Sequence, residues 1–90
     1  MIYEVELIIM NKDGVRDPEG ETIQRYVVEK IVGNAVKGTR AGKYLLFRVD
    51  SRSPEEAVGI VRKLADEGRF YNPMAHRVII RVVGREDCGH

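Results

Sequence analysis

Gly38-Thr39-Arg40-Ala41-Gly42-Lys43-Tyr44 is the stretch of this chain nearest in type and spacing to a phosphate-cradling loop. Such a loop needs four residues between its glycines, a Ser or Thr after the lysine to hold magnesium, and a helix N-terminus behind it. Here three residues separate the glycines, Tyr44 follows Lys43, and strand-like sequence comes next. What remains is a turn carrying two cations, Arg40 and Lys43. The same segment could stack on RNA bases if Tyr44 and Phe47 shared a face, but three residues apart on a strand they point opposite ways. His76 and His90 are the only histidines and Cys88 the only cysteine. A metal site wants three or four converging ligands, and no spacing here completes one. No Ser-His-Asp or Cys-His set can be assembled either. Asp17, Glu55 and Glu56 stand where helix caps and dipole partners stand. The sequence predicts no catalytic residue and no metal ligand.

Three loops hold more definition than a fold alone asks for. Gly14-Val15-Arg16-Asp17-Pro18-Glu19-Gly20 carries two glycines and an Asp-Pro pair, Arg40 to Lys43 forms a tight basic turn, and Asn72-Pro73 punctuates a third loop. Binding residues concentrate in such loops. Gly14, Arg16, Asp17, Pro18, Gly20, Arg40, Gly42, Lys43, Asn72 and Pro73 are therefore the candidate partner-binding residues. Arg40 and Lys43 would meet an acidic partner surface or, as the second choice, a nucleotide's phosphates.

The elements that must position these loops follow from periodicity. Residues 2–10 alternate Glu4 and Glu6 against Tyr3, Val5, Leu7 and Ile9, which is strand spacing. Asp17 suits an N-cap and Pro18 the first helical position, and Ile23, Val27 and Ile31 then recur every four residues as a core-facing stripe. Gly33-Asn34 ends that helix. Residues 35–39 are expected to be a strand, followed by a turn and a stronger strand over residues 44–49. Ser53-Pro54-Glu55-Glu56 is a capping box opening a helix to about residue 67, with Ala57, Val58, Val61, Leu64 and Ala65 inward and Gly68 as its stop. Residues 77–83 form the last strand. The order β-α-β-β-α-β predicts a ferredoxin-like α+β fold, a four-stranded antiparallel sheet with two helices on one face. Residues 1–84 are read as a single domain and residues 85–90, with Cys88 and His90, as a tail.

Composition sets bounds on what such a fold can do. Forty-three percent hydrophobic and 32% charged residues over 90 positions fit one folded domain with a modest core. Fifteen Lys plus Arg against 14 Asp plus Glu leave a net charge of +1, far from the excess of a dedicated nucleic-acid binder. The longest apolar run, Leu7 to Met10, is too short to cross a bilayer, and no signal-peptide pattern opens the chain. A lone cysteine allows no internal disulfide, which fits a cytoplasmic location. Two helices can cover one face of a sheet, so Ile8, Tyr44, Leu46, Ile79 and Val83 on the other face predict a self-association surface, most simply a two-fold dimer.

Taken together, the loops resemble a known family. Lys12-Asp13-Gly14-Val15-Arg16-Asp17-Pro18-Glu19-Gly20 is similar to the K-x-G-V-x-D-P-x-G segment of the PurS subunit of phosphoribosylformylglycinamidine (FGAM) synthase. Arg40-Ala41-Gly42-Lys43-Tyr44 resembles that family's R-x-G-K-x turn, and Asn72-Pro73 falls where the family has its late N-P. The likeness runs from about residue 2 to residue 83, with the motifs in order and at matching distances. It departs at Thr39, where the family usually has valine, and after Pro73, where an acidic residue is common and Met74-Ala75-His76-Arg77 has none.

The resemblance implies a non-catalytic small subunit of de novo purine biosynthesis. Such a subunit bridges a glutaminase and an ATP-dependent synthetase and assists ammonia transfer while formylglycinamide ribonucleotide, ATP and glutamine become FGAM. It implies a homodimer and no cofactor on this chain, with ATP and magnesium used elsewhere in the complex. Two other classes use a similar element order. An amino-acid-binding regulatory domain of the ACT type would show a thermal shift with free amino acids, and an RNA-binding module would show steeply salt-dependent affinity. Neither accounts for the three motifs together.

Overall fold

The computed structural model describes residues 1–86. Three strands form one antiparallel sheet in the order β2-β1-β3, with β1 at Ile2–Asn11, β2 at Gly42–Asp50 and β3 at His76–Glu86. Residues 35–39, expected to be a strand, are a short 3-10 turn and irregular backbone. The sheet therefore has three strands and not four. Val36 and Thr39 are the only β-branched residues in that stretch, and Gly38 interrupts it, so little there resists an irregular path. At the other end β3 runs on to Glu86, through positions read as tail. Cys88 and His90 lie outside the described residues.

The connections differ in kind. Strand β1 pairs directly with β2, Ile2 opposite Asp50 and Met10 opposite Gly42. The chain between them thus leaves and re-enters at one end of the sheet, as in an elongated hairpin. Strands β2 and β3 flank β1 on opposite sides and both run antiparallel to it, so they are parallel to each other. The link between them must cross the sheet, and α3 (Pro54–Glu67) makes that crossing.

Crossing the sheet buries α3. The Ser53 hydroxyl accepts the Glu56 N–H at 3.1 Å, Pro54 opens the first turn, and Gly68 closes the last with its N–H on the Leu64 carbonyl at 2.8 Å. Ala57, Val61 and Ala65 then meet Tyr3, Val5, Leu7, Ile9 and Val49 in the core, with Leu45, Phe47, Val78, Ile80 and Val82 packed around them. The first strand's inward set Tyr3, Val5, Leu7 and Ile9 is thus the one observed, and Ile8, Tyr44, Leu46, Ile79 and Val83 stay out of this core as expected.

The hairpin excursion behaves otherwise. It contains α1 (Pro18–Ile23), a π-helical segment (Gln24–Val28) and α2 (Glu29–Val32), and none of its side chains joins the core. Among the described residues α3 is the one helix that covers the sheet's inner face, so the expectation of two helices there fails for the first. Tyr26 is 58% exposed and Ile31 76%. A compact 90-residue domain has a radius of gyration of about 12 Å; this one has 16.7 Å. The excursion, residues 18–41, is an arm.

Candidate functional site: a three-loop cluster at one end of the sheet

The hairpin end of β1 and β2 is also where β3 begins, and this brings the three singled-out loops together. Lys12 donates its N–H to the Ala75 carbonyl at 2.9 Å, joining the first loop to the third. Arg40 joins the second to the first. Its guanidinium reaches the Asp13 carboxylate at 2.8 Å, the Asn11 carbonyl at 3.0 Å and the Lys12 carbonyl at 3.3 Å. The geometry thus spends Arg40 on clasping the first turn, whereas Lys43 is exposed and makes no ion pair among the described residues.

Asp17 has two tasks, of which periodicity showed one. One carboxylate oxygen accepts the Gly20 N–H at 3.1 Å as the helix cap, and the other accepts the Ala41 N–H at 2.8 Å across the loop. The Ala41 and Gly20 donors hold its pKa below the ordinary 3.8. Gly20 is buried because the chain closes on it: a Cβ there would stand 2.6 Å from the Thr39 carbonyl oxygen. Gly42 meets the Ile9 carbonyl in the same way, also at 2.6 Å. Gly14, at φ +87°, takes the left-handed position of the turn closed by Val15 N–H on the Lys12 carbonyl at 3.0 Å. These motif glycines answer to close approach and turn geometry.

Asn72-Pro73 makes a compact turn into β3. The Asn72 side chain accepts the Met74 N–H at 3.0 Å, its carbonyl accepts the His76 N–H at 2.7 Å, and its own N–H donates to His76 Nδ1 at 2.9 Å. Two open clefts flank this turn. One is lined by Arg69, Phe70, Asn72 and Pro73 and the other by Asp17, Pro18, Gly42 and Lys43, and both share Phe70 and His76. Arg16 lies on the rim, pointing its guanidinium at Glu21 at 2.8 Å with most of its side chain in solvent. The candidate residues of all three loops therefore share one end of the molecule. It is a surface of fixed turns with polar edges, suited to recognition. No group of three or more His, Cys, Asp or Glu among the described residues could hold a metal ion.

A second feature lies on the sheet face away from α3. Glu6, at the middle of β1, is only 5% exposed. Its carboxylate accepts the Tyr44 hydroxyl at 2.6 Å and the Arg81 guanidinium from directly across the strand pair. Tyr44 and then Arg81 hold the Glu6 pKa below the ordinary 4.5 against the opposing effect of burial, and Glu6 in turn raises that of Tyr44. Around this triad Tyr44, Leu46, Ile79 and Val83 are 40–55% exposed, and Ile8 is half-buried. Sequence alternation placed these five residues on this face but missed the burial of Glu6. A glutamate placed level with an arginine and diagonal to a tyrosine on one face was the available signal.

Residues 4–84 match the family described as PurS, phosphoribosylformylglycinamidine (FGAM) synthase. The chain is 32% identical over 80 residues to the phosphoribosylformylglycinamidine synthase subunit PurS of Thermotoga maritima, covering 89% of this chain and 95% of that one. The crystal structure of the purS subunit from T. maritima superposes with a TM-score of 0.81 at 31% identity, over 92% of this chain and 93% of that one. A chain in the structure of PurLQS from the same organism gives 0.80 at 31%, over 92% and 99%. Methanocaldococcus jannaschii PurS, one of the subunits of formylglycinamide ribonucleotide amidotransferase in the purine biosynthetic pathway, gives 0.77 at 30%, over 93% and 99%. Fold, loop motifs and relatives agree over nearly the whole length, and the chain belongs to the PurS family of FGAM synthase.

Proposed function

We propose that this chain is the small subunit that holds a glutaminase and an ATP-dependent synthetase together in FGAM synthase, and that it assists ammonia transfer between them. The observation that carries this reading is the convergence of the three family loops on one end of the fold, in a chain that matches a member of the PurLQS assembly over 92% of its length. In this account the loop cluster is the docking surface. Gly14, Asp17, Gly20, Arg40, Gly42 and Asn72 hold its shape, while Arg16, Pro18, Lys43 and Pro73 face the partners. ATP and magnesium are used on the synthetase, and this chain contributes no catalytic group and binds no cofactor. A cytoplasmic location follows from that role, and no helix among the described residues is long and apolar enough to cross a membrane.

The sheet face bearing Ile8, Tyr44, Leu46, Ile79 and Val83 serves self-association in the same account. An apolar face of this extent on a small domain marks an interface, and a two-fold pair lets one patch serve both copies.

Co-expression with the two partner subunits tests the docking reading. Tagged wild-type chain should retain both through gel filtration. Arg16→Glu reverses an exposed charge whose ion pair contributes little to stability, so it should leave the melting temperature unchanged while reducing retention of at least one partner. Full retention by both Arg16→Glu and Lys43→Glu would remove the loop cluster from the docking surface.

A further inference from the structure

Helix α3 ends in a backbone conformation that suits its sequence poorly. Gly68 caps the helix at an ordinary φ of −77°, and the left-handed step falls one residue later, on Arg69 at φ +55°. Among the described residues Arg69 is the one residue other than glycine with a positive φ. The Phe70 N–H then returns to the Ala65 carbonyl at 3.3 Å, the bond that closes a helix ending of this kind. Glycine or asparagine ordinarily takes the left-handed position, because a larger side chain there crowds the neighbouring carbonyl. Gly68 is held one place earlier by a different need. A Cβ on it would stand 2.6 Å from the Leu64 carbonyl oxygen and 3.3 Å from the Phe70 ring.

The arginine brings no contact that offsets this strain. Arg69 is exposed and makes no hydrogen bond or ion pair among the described residues. Its side chain lines an open cleft of about 850 Å³ whose apolar wall is Phe70 and Pro73. Phe70 is seated against the Phe47 ring, 6.3 Å away between centres, and is still 36% exposed.

The free charge of this cleft has one sign. Asp66 is the one carboxylate in its lining, and it accepts the Tyr71 hydroxyl at 2.7 Å. Arg62 stands within electrostatic reach of the same hydroxyl. Glu67, next along the helix, lies 4.0 Å from Lys63. His76 accepts the Asn72 N–H on Nδ1, so Nε2 is the ring nitrogen left for a further partner. Arg69 is therefore a cation without a counter-charge, beside an apolar wall.

We propose that Arg69 is a recognition residue, and that the cleft seats a segment of one partner subunit carrying a carboxylate beside an apolar side chain. The carboxylate pairs with the guanidinium, and the apolar side chain lies on Phe70 and Pro73. Arginine suits the task because its fork of N–H donors matches the two oxygens of a carboxylate. The proposal rests on the docking reading of the three-loop cluster, to which Asn72-Pro73 belongs, and adds the chemistry that one partner must present.

Arg69→Gly separates recognition from folding, since it removes the side chain and relieves the backbone at once. Its melting temperature should hold or rise. The chain is titrated into an equal mixture of the two purified partner subunits, and assembly is read by analytical ultracentrifugation. Arg69→Gly should need at least tenfold more chain than the wild type for half-assembly. Raising salt from about 0.1 M to about 1 M should shrink that gap, because the pair is electrostatic.

A wild-type chain that assembles with neither partner overturns the docking reading and the proposal together. Assembly by Arg69→Gly that matches the wild type overturns the proposal alone. So does a lower melting temperature for Arg69→Gly, which would assign the side chain to the chain's own stability. A gap that salt leaves unchanged overturns the carboxylate.

Discussion

The two helical stretches of this protein begin alike and end in opposite circumstances. Both open with a capping side chain followed by proline and two acidic residues, Asp17-Pro18 with Glu19 and Glu21, and Ser53-Pro54 with Glu55 and Glu56. Both carry apolar stripes. Yet α3 places Ala57, Val61 and Ala65 at no more than 1% exposure, whereas Gly20 is the only buried residue in the helical part of the arm. The cause is connection, not composition. A link between parallel strands must pass over the sheet, and a link between antiparallel neighbours need not. An apolar stripe therefore does not by itself show that a helix packs on its own sheet.

If that contrast is right, the same substitution should act differently on the two helices. The largest effect is expected for Val61→Asp, which puts an unpaired carboxylate into a position that is 0% exposed. It should abolish cooperative unfolding in a thermal melt. Gly20→Ala comes next, because the new Cβ meets the Thr39 carbonyl at 2.6 Å and forces the arm's root apart. Overpacking of this kind costs about 1–3 kcal/mol, to be read from a urea titration. Asp17→Ala removes a cap and the bond to Ala41 together, and the melting temperature should fall by roughly 4–8 °C.

Acid sharpens the picture further. Glu6 and Asp17 both have pKa values lowered by folding. Their stabilisation is fully present above the ordinary carboxylate values of 4.5 and 3.8 and is lost as pH falls below them. Melting temperatures taken from pH 7 to pH 2.5 should drop over that range, and Glu6→Gln should flatten part of the drop. The smallest effect belongs to the arm. Val27→Asp, at a position 49% exposed, should change the chain's own stability by no more than about 0.5 kcal/mol. An effect as large as that of Val61→Asp would mean that the arm folds back onto its own sheet.

What could be read from sequence follows the range over which each signal acts. Strand alternation and helix caps are local, so the inward set Tyr3, Val5, Leu7 and Ile9, the outward set Tyr44, Leu46, Ile79 and Val83, and the boundaries of α3 were legible. Strand pairing is not local. Nothing in residues 35–39 declares that β1 pairs with the strand after them, and the expected fourth strand and second packed helix both failed on that point. The loops show the same division. Gly14 as a turn residue and Asp17 as a cap were readable. The Asp17 bond to Ala41, the clasp of Arg40 on Asp13 and the closure of Gly20 on Thr39 depend on contacts between 19 and 27 residues apart in sequence. The loop motifs pointed to the family before any of those contacts was visible.

The central claim, that this chain joins two partners, is tested most directly by reconstitution. Purified glutaminase and synthetase subunits would be assayed for FGAM formation with glutamine and, separately, with ammonium as the nitrogen source, each with and without this chain. The account predicts that glutamine-dependent synthesis requires the chain while ammonium-dependent synthesis continues in its absence. Full glutamine-dependent synthesis by the two partners alone would contradict it.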